Sequence, residues 1–170
     1  MKIHRLAPAE AGRYRALMLE AYRAHPQSFT TTATEREPLP LSWWQARVSD
    51  AEDATTQVYG IFDAQGELHG VVGLSRKKQL KTRHKVTLFG LYVVPPFRKQ
   101  GFARQLVEHA LSEARLINHA RLIQLSVSET NTAAVALYQH YGFEQYAREP
   151  FAIALEGEYL TKLHMWRMLD

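Results

Sequence analysis

The sequence contains no cysteine, which removes disulfide bridges, thiolate zinc sites and a cysteine nucleophile at once. Any chemistry must come from oxygen and nitrogen groups or from a bound cofactor. No run of about eighteen apolar residues occurs, and the opening MKIHRLAPAEAGRYRALM has no long apolar segment. Neither membrane spanning nor secretion is indicated, and a cytoplasmic protein is expected. The eight histidines include no pair at metal-ligand spacing within a helix, so no metal is expected. Acids are absent from one telling stretch: SRKKQLKTRHK gathers Arg76, Lys77, Lys78, Lys81, Arg83 and Lys85 without a single carboxylate. It sits between two strand-like segments and reads first as a solvated hairpin tip, second as a surface for an acidic partner. No aromatic residues are interleaved there to stack on bases, which argues against nucleic acid.

What is present suffices for one domain over residues 1–170, with 46% hydrophobic and 22% charged residues. The net charge of +4 suits an anionic ligand without requiring one. KIHRL reads as a short strand. The following PAEAGRYRALMLEAYRAHP places Tyr14, Leu17, Met18, Ala21 and Tyr22 at three- and four-residue spacing, an amphipathic helix ended before Pro26. QSFTTTATEREPLPLS, rich in Thr and Pro, is expected to be an unstructured loop, the kind of segment that touches ligands. In SWWQARVSD, Ser42 is a candidate N-cap, with Trp44 and Val48 on one helical face.

Two strands around DAQGE come next, then a third, KVTLFGLYVV, which must stop at Pro95 and Pro96 because proline has no amide to donate. FARQLVEHALSEARLINHA carries a broad apolar stripe and is the best-defined helix. RLIQLSV is a strand, NTAAVALYQHYG a helix stopped by Gly142, and FEQYAREPFAIAL and EYLTKLHMWRML a closing pair of strands. The hairpins make the sheet mixed rather than wholly parallel, and the order of elements gives an α/β layered domain.

Two short blocks carry chemical meaning. In RKQGFA, at the joint between the third strand and the long helix, Arg98, Lys99 and Arg104 surround Gly101 and Ala103. The first amides of a helix lack intrahelical partners and point along the axis with the positive end of the dipole, so a phosphate can rest there if the main chain is left open. No Gly-Lys-Ser/Thr follows, and the three glycines of the dinucleotide fingerprint are missing. On this evidence alone a plain structural turn explains the joint equally well. The second block is SVSETNTAAVALYQHYGF, where Asn131 and Tyr138 lie seven residues apart, about 10 Å along one helical face. Ala134 between them leaves room for an extended ligand. Helix capping by Asn131 and core packing of Tyr138 is the simpler account of the pair taken by itself.

In this order and at this spacing the two blocks resemble the GNAT superfamily of acyl-CoA-dependent N-acetyltransferases. Its pattern Arg/Gln-x-x-Gly-x-Gly/Ala matches Arg98, Gly101 and Ala103, and its later Asn, Tyr and Gly-Phe match Asn131, Tyr138, Gly142 and Phe143. The resemblance implies a GNAT-like α/β fold: a mixed, mostly antiparallel sheet of about seven strands, helices on both faces and a splayed central strand pair. It implies acetyl-CoA as co-substrate, its pyrophosphate on Lys99, Gln100, Gly101, Phe102, Ala103 and Arg104 beside Arg98. It further implies that Leu91, Tyr92 and Val93 offer backbone groups to the pantetheine arm, with Asn131 holding it and Tyr138 protonating the leaving thiolate. Gly90, inside a bulky strand, is the expected site of the bulge that opens the gap.

The implied reaction is acetyl transfer to a primary amine of a small molecule or an exposed protein or peptide amine, by a monomer or homodimer. A non-catalytic acyl-CoA-binding module is the alternative. Some relatives carry a glutamate base where this chain has Ser126. Glu35, Glu37, Glu129 and His84 are the substitutes the sequence offers, although solvated positions account for each of them more simply.

Overall fold

Period-two alternation decides which way each strand faces, and two helical layers cover the two faces that result. The computed structural model describes residues 1–170. Seven strands, β1 (Lys2–Arg5), β2 (Thr56–Phe62), β3 (Leu68–Arg76), β4 (Lys85–Val93), β5 (Leu122–Ser128), β6 (Glu144–Leu155) and β7 (Glu158–Met168), form one sheet in the order β1-β2-β3-β4-β5-β7-β6. Every neighbouring pair is antiparallel except β4 and β5. The helices are α1 (Ala11–Ala24), α2 (Ala33–Arg36), α3 (Leu41–Arg47), α4 (Phe102–Leu116) and α5 (Thr132–His140). None is long and apolar enough to cross a membrane.

In β2, Tyr59 and Ile61 join Leu106, Val107, Ala110, Leu111 and Ala114 of α4 and Tyr138 of α5 in one core. Val58 and Phe62 on the opposite face join Tyr14, Leu17, Met18 and Tyr22 of α1 and Trp44 of α3 in the other. Trp44 is fully buried and meets the Tyr14 ring edge-on at 5.9 Å between centroids, so truncating it would cost about 3–5 kcal/mol.

The expected bulge is present. Val71 pairs with Tyr92 and Gly73 with Phe89, so one residue of β3, Val72, faces the two residues Gly90 and Leu91 of β4. Gly90 has φ +63°, a backbone setting that side chains with a Cβ rarely accept. The extra residue reverses the alternation. Val86 and Leu88 face the α4 side before it, Val93 faces that side after it, and Tyr92 faces α1.

Two local expectations are corrected. The Thr-rich segment is ordered: Pro26–Ser28 forms a 3₁₀ turn, and α2 is started by a capping box in which Thr32 and Glu35 satisfy each other's backbone amides. Ser42 is not the cap of α3. Pro40 is, because its extended backbone places its carbonyl to accept from Trp43 N at 3.0 Å, and the helix begins one residue before Ser42.

Candidate functional site

Beyond Val93 the chain makes a 3₁₀ turn over Pro95–Phe97, extends at Arg98 (φ −72°, ψ 161°), and turns left-handed at Lys99 (φ 59°) and at Gly101 (φ 83°). Left-handed residues alternating with ordinary ones turn successive N–H groups toward one side, forming an anion-binding concavity. Gly101 is the N-terminal cap residue of α4, supplies no side-chain cap, and is followed by no acid in the first turn. The first helical bond runs from Gln105 N to Gly101 O at 3.0 Å, and no amide from Lys99 to Arg104 finds an acceptor within the protein. A Cβ added at Gly101 would meet nothing within 4 Å. The glycine is therefore required by its backbone angle, not by crowding, and the amides stay uncovered.

Gln100 faces the other way, donating from Nε2 to Pro96 O at 2.9 Å, where it ties the turn to itself. Arg98 is similarly engaged. Its Nε donates to Val93 O at 2.8 Å, its Nη2 lies 2.7 Å from His25 Nε2, and its guanidinium lies over the Tyr92 ring at 5.4 Å. Burial, then the Arg98 charge, hold the His25 imidazole below its ordinary value, so it is neutral near pH 7 and accepts from the arginine. The Tyr92 hydroxyl donates to Glu20 at 3.2 Å. Lys99 and Arg104 carry the free positive charge of the turn.

A cleft of about 530 Å³ lies between this turn and α5, with Arg98, Lys99, Gly101, Phe102, Ala103 and Arg104 on one wall and Ala133, Ala136, Leu137 and His140 on the other. A second cleft of about 430 Å³ is lined by Leu91, Tyr92, Val93, Asn131 and Ala134 and by His25, Gln27, Ser28 and Phe29. The two share Val93, Arg98, Ala103, Ala133 and Leu137, so they form one trough within the size range of ligand sites. The trough reaches into the sheet. Parallel pairing of β4 and β5 stops at Thr87 and Gln124, while the strands run on to Val93 and Ser128. Helix α5 borders the resulting gap on one side of the sheet, and the turn that follows α1 borders it on the other.

Asn131 both caps and lines. Its Oδ1 accepts from Ala134 N at 3.2 Å, which leaves its amide nitrogen for whatever fills the inner cleft. Tyr138 is buried, its ring meeting Phe143 at 5.7 Å between centroids, and it is not among the residues lining either cleft. Burial alone pushes its phenol up, with no charge or hydrogen bond contributing. Of the carboxylates named as possible bases, Glu35 serves the α2 cap, Glu37 pairs with Arg23 at 2.8 Å, and Glu129 makes a two-pronged pair with Arg148 at 2.8 and 2.9 Å. The partners of Glu35 and Glu129 hold both carboxyls below the usual range, which makes them weaker bases.

Gln27, Ser28 and Phe29 open the segment expected to touch ligand, whereas His25 escaped the sequence reading as part of the site. Pro26 marks where α1 must end, but no local pattern states that the next turn docks across a gap between strands lying about sixty and a hundred residues further on.

The sequence matches the acetyltransferase (GNAT) family over residues 16–143. It is 39% identical over 61 residues to the ribosomal protein bS18-alanine N-acetyltransferase of Escherichia coli K12, a stretch covering 36% of this chain and 40% of that protein's length. It is 26% identical over 138 residues to the spermidine N(1)-acetyltransferase of Vibrio cholerae, covering 74% of this chain and 78% of that one. Among solved structures, a GNAT-family acetyltransferase from Streptococcus pneumoniae superposes with a TM-score of 0.87 at 20% identity, covering 99% of both chains.

Proposed function

Because the chain belongs to the GNAT acetyltransferase family, we propose that it is an acetyl-CoA-dependent N-acetyltransferase, a single catalytic domain over residues 1–170 acting on a primary amine of a small molecule or of an exposed protein or peptide. The observation that carries the reading is the junction of two features built separately: a run of unpaired amides at the start of α4 and a gap between β4 and β5, joined by one trough. A diphosphate fits the first, because the amides of Lys99 to Arg104 point outward under the positive helix end with Lys99 and Arg104 beside them. An extended arm carrying amides fits the second, between the backbone of Leu91–Val93 and the small residues Ala133 and Ala134. A cytoplasmic location belongs to the same proposal, since the acceptors named for two relatives, a ribosomal protein and spermidine, are met there.

Acetyl-CoA, consumed as a substrate, brings an activated acyl carbon. The chain supplies position and proton management. Where the β4–β5 ladder has ended beyond Thr87, a β4 amide on the edge facing β5 stabilises negative charge on the carbonyl oxygen, and the Asn131 amide nitrogen fixes the arm. Tyr138 lines neither cleft, so for it to protonate the departing sulfur its hydroxyl must gain access to the trough when acetyl-CoA binds. A free phenol near 10 and a free thiol near 8.5 differ by about 2 kcal/mol in their hold on a proton, and burial strengthens the hold of the Tyr138 phenol further, so this transfer runs uphill.

The test is to mix the protein with acetyl-CoA and a panel of amines and peptides, including spermidine and an alanyl-terminated peptide, and to follow thiol release. Turnover with any member supports the enzyme. Tight acetyl-CoA binding without turnover across the panel would make the chain an acyl-CoA-binding module instead.

A further inference from the structure

An acceptor amine reaches its enzyme mostly as an ammonium ion, and something must take a proton before nitrogen can attack. A lysine-like amine near 10.4 is neutral in fewer than about one molecule per thousand at pH 7. The carboxylates of the Thr-rich loop and Glu129 are occupied elsewhere, and Ser126 cannot act as a base. The sheet register shows what stands beside that serine. Ser126 of β5 pairs with His164 of β7, and Ala147 of β6 with His164 in turn.

Ile123, Leu125 and Val127 of β5 and Leu163 and Met165 of β7 all point into the α4 core, so alternation turns Ser126 and His164 to the other face. Thr87 of β4 shares that face, since Gln124 Nε2 reaches its Oγ1 at 3.3 Å across the last rung of the β4–β5 ladder. Ser126 is the next residue of this face past the rung. It is exposed, so the surface over the rim of the gap is open there, and His164 lies one strand further, about 4.8 Å away in backbone spacing.

His164 is half-buried and its Nε2 lies 2.7 Å from Glu149 Oε2. With a carboxylate on Nε2, the neutral ring carries its proton there and leaves the Nδ1 lone pair free. No hydrogen bond within the protein occupies Nδ1. The other titratable or charged groups on this face are Tyr146 of β6, whose ring centroid is 6.0 Å away, Glu144 of β6 opposite Trp166, Lys162, opposite Glu149 in the β6–β7 register, and Lys85 at the far end of β4. β5 contributes no charged group to this face, and the turn over 26–28 that touches β5 and β6 brings His25 nearby in sequence.

We propose that His164, oriented by Glu149, is the general base for the acceptor amine, which enters the gap from the α1 side while the thioester occupies it from the α4 side. This rests on the acetyltransferase reading above. The ammonium gives one proton to Nδ1. Nitrogen then bonds to the acetyl carbon as the carbon–sulfur bond breaks, and sulfur leaves with a proton from Tyr138. The second proton of the acylated nitrogen passes through water to the Tyr138 phenolate, and His164 releases its proton to solvent, so the sum is ammonium and thioester to amide, thiol and one free proton.

The experiment compares wild type with His164→Gln and Glu149→Gln, using whichever member of the amine and peptide panel the wild type acetylates. At pH 7 His164→Gln should lose about 100-fold in kcat with acetyl-CoA affinity by calorimetry unchanged within about twofold. Part of the loss should return at pH 9–10, where the amine sheds its proton to water. Glu149→Gln should lose less, about tenfold. Independently of turnover, ¹⁵N NMR of the wild-type ring should show Nε2 protonated and Nδ1 bare at neutral pH, with the tautomers mixing in Glu149→Gln. Wild-type activity with an unimpaired His164→Gln, or a ring protonated at Nδ1 instead, overturns this inference and leaves the acetyltransferase intact. A wild type that binds acetyl-CoA but turns over no member of the amine and peptide panel overturns both.

Discussion

The turn from Arg98 to Gly101 forms a wall of the trough, whereas the β6–β7 hairpin lies one strand beyond the β5 edge of the gap, and the two are made of different material. The turn presents backbone: left-handed residues at 99 and 101 and amides without acceptors, all within a few consecutive positions. The hairpin side presents side chains, His164, Glu149 and Tyr146, brought together by strand pairing across two register shifts. A diphosphate is the same in every acetyl-CoA, and a fixed backbone cradle suits it. An acceptor amine differs from one enzyme to the next, and side chains can be exchanged without disturbing the ladder that carries them.

Substitutions can break this contrast. The largest effect expected is at Tyr138, where Tyr138→Phe should lower kcat by about 100-fold in steady-state assays with acetyl-CoA affinity nearly unchanged. A matching loss of affinity with normal turnover at saturation would remove Tyr138 from proton transfer. Next is Gly101→Val, which forces a β-branched residue to φ +83° at about 1–3 kcal/mol of strain. Calorimetry should show acetyl-CoA binding weakened by about tenfold, with Gly101→Asn milder because asparagine tolerates left-handed backbone. If Val binds as well as Gly, the cradle is not made of backbone.

Asn131→Ala separates capping from ligand holding. Loss of the cap should lower stability by about 1 kcal/mol and Tm by about 2–4 °C in a thermal melt, and Asn131→Ser should restore Tm but not acetyl-CoA affinity. The smallest effect concerns acid. Glu129 is held low by its Arg148 hydrogen bond and Asp63 by its bond to His69, so each contributes stability that is fully present above the unfolded carboxylate range. That contribution is lost as pH falls through the lower folded values. Tm should therefore be level between about pH 5 and 7 and fall below about pH 4, with a shallower fall in Glu129→Gln.

The same contrast explains what could be read from the sequence. Every strand and long helix announced itself by its period or by proline and glycine at its ends, and Gly90 marked the bulge because no other residue in that strand lacks a Cβ. The turn at the start of α4 was legible because it is local: Arg98, Gly101 and Ala103 lie within six residues. Ser42 was taken for a cap because hydroxyl capping is common, whereas the fixed, extended backbone of Pro40 starts α3 one residue earlier. The short helix α2 hid in a Thr- and Pro-rich stretch, being held by one capping box instead of an apolar stripe. The engagement of Arg98 with His25 and the meeting of His164 with Glu149 depend on long-range packing and on bulged register, which leave no spacing signature in the chain.

The most direct measurement is a ¹H–¹⁵N titration of the protein with acetyl-CoA. The backbone amides of Lys99 to Arg104 should shift together with those of Leu91 to Val93, saturating at one ligand per chain, while the basic tip at Lys77–Lys81 stays still. Saturable binding that leaves the 99–104 amides unmoved, or no binding at all, would contradict the account.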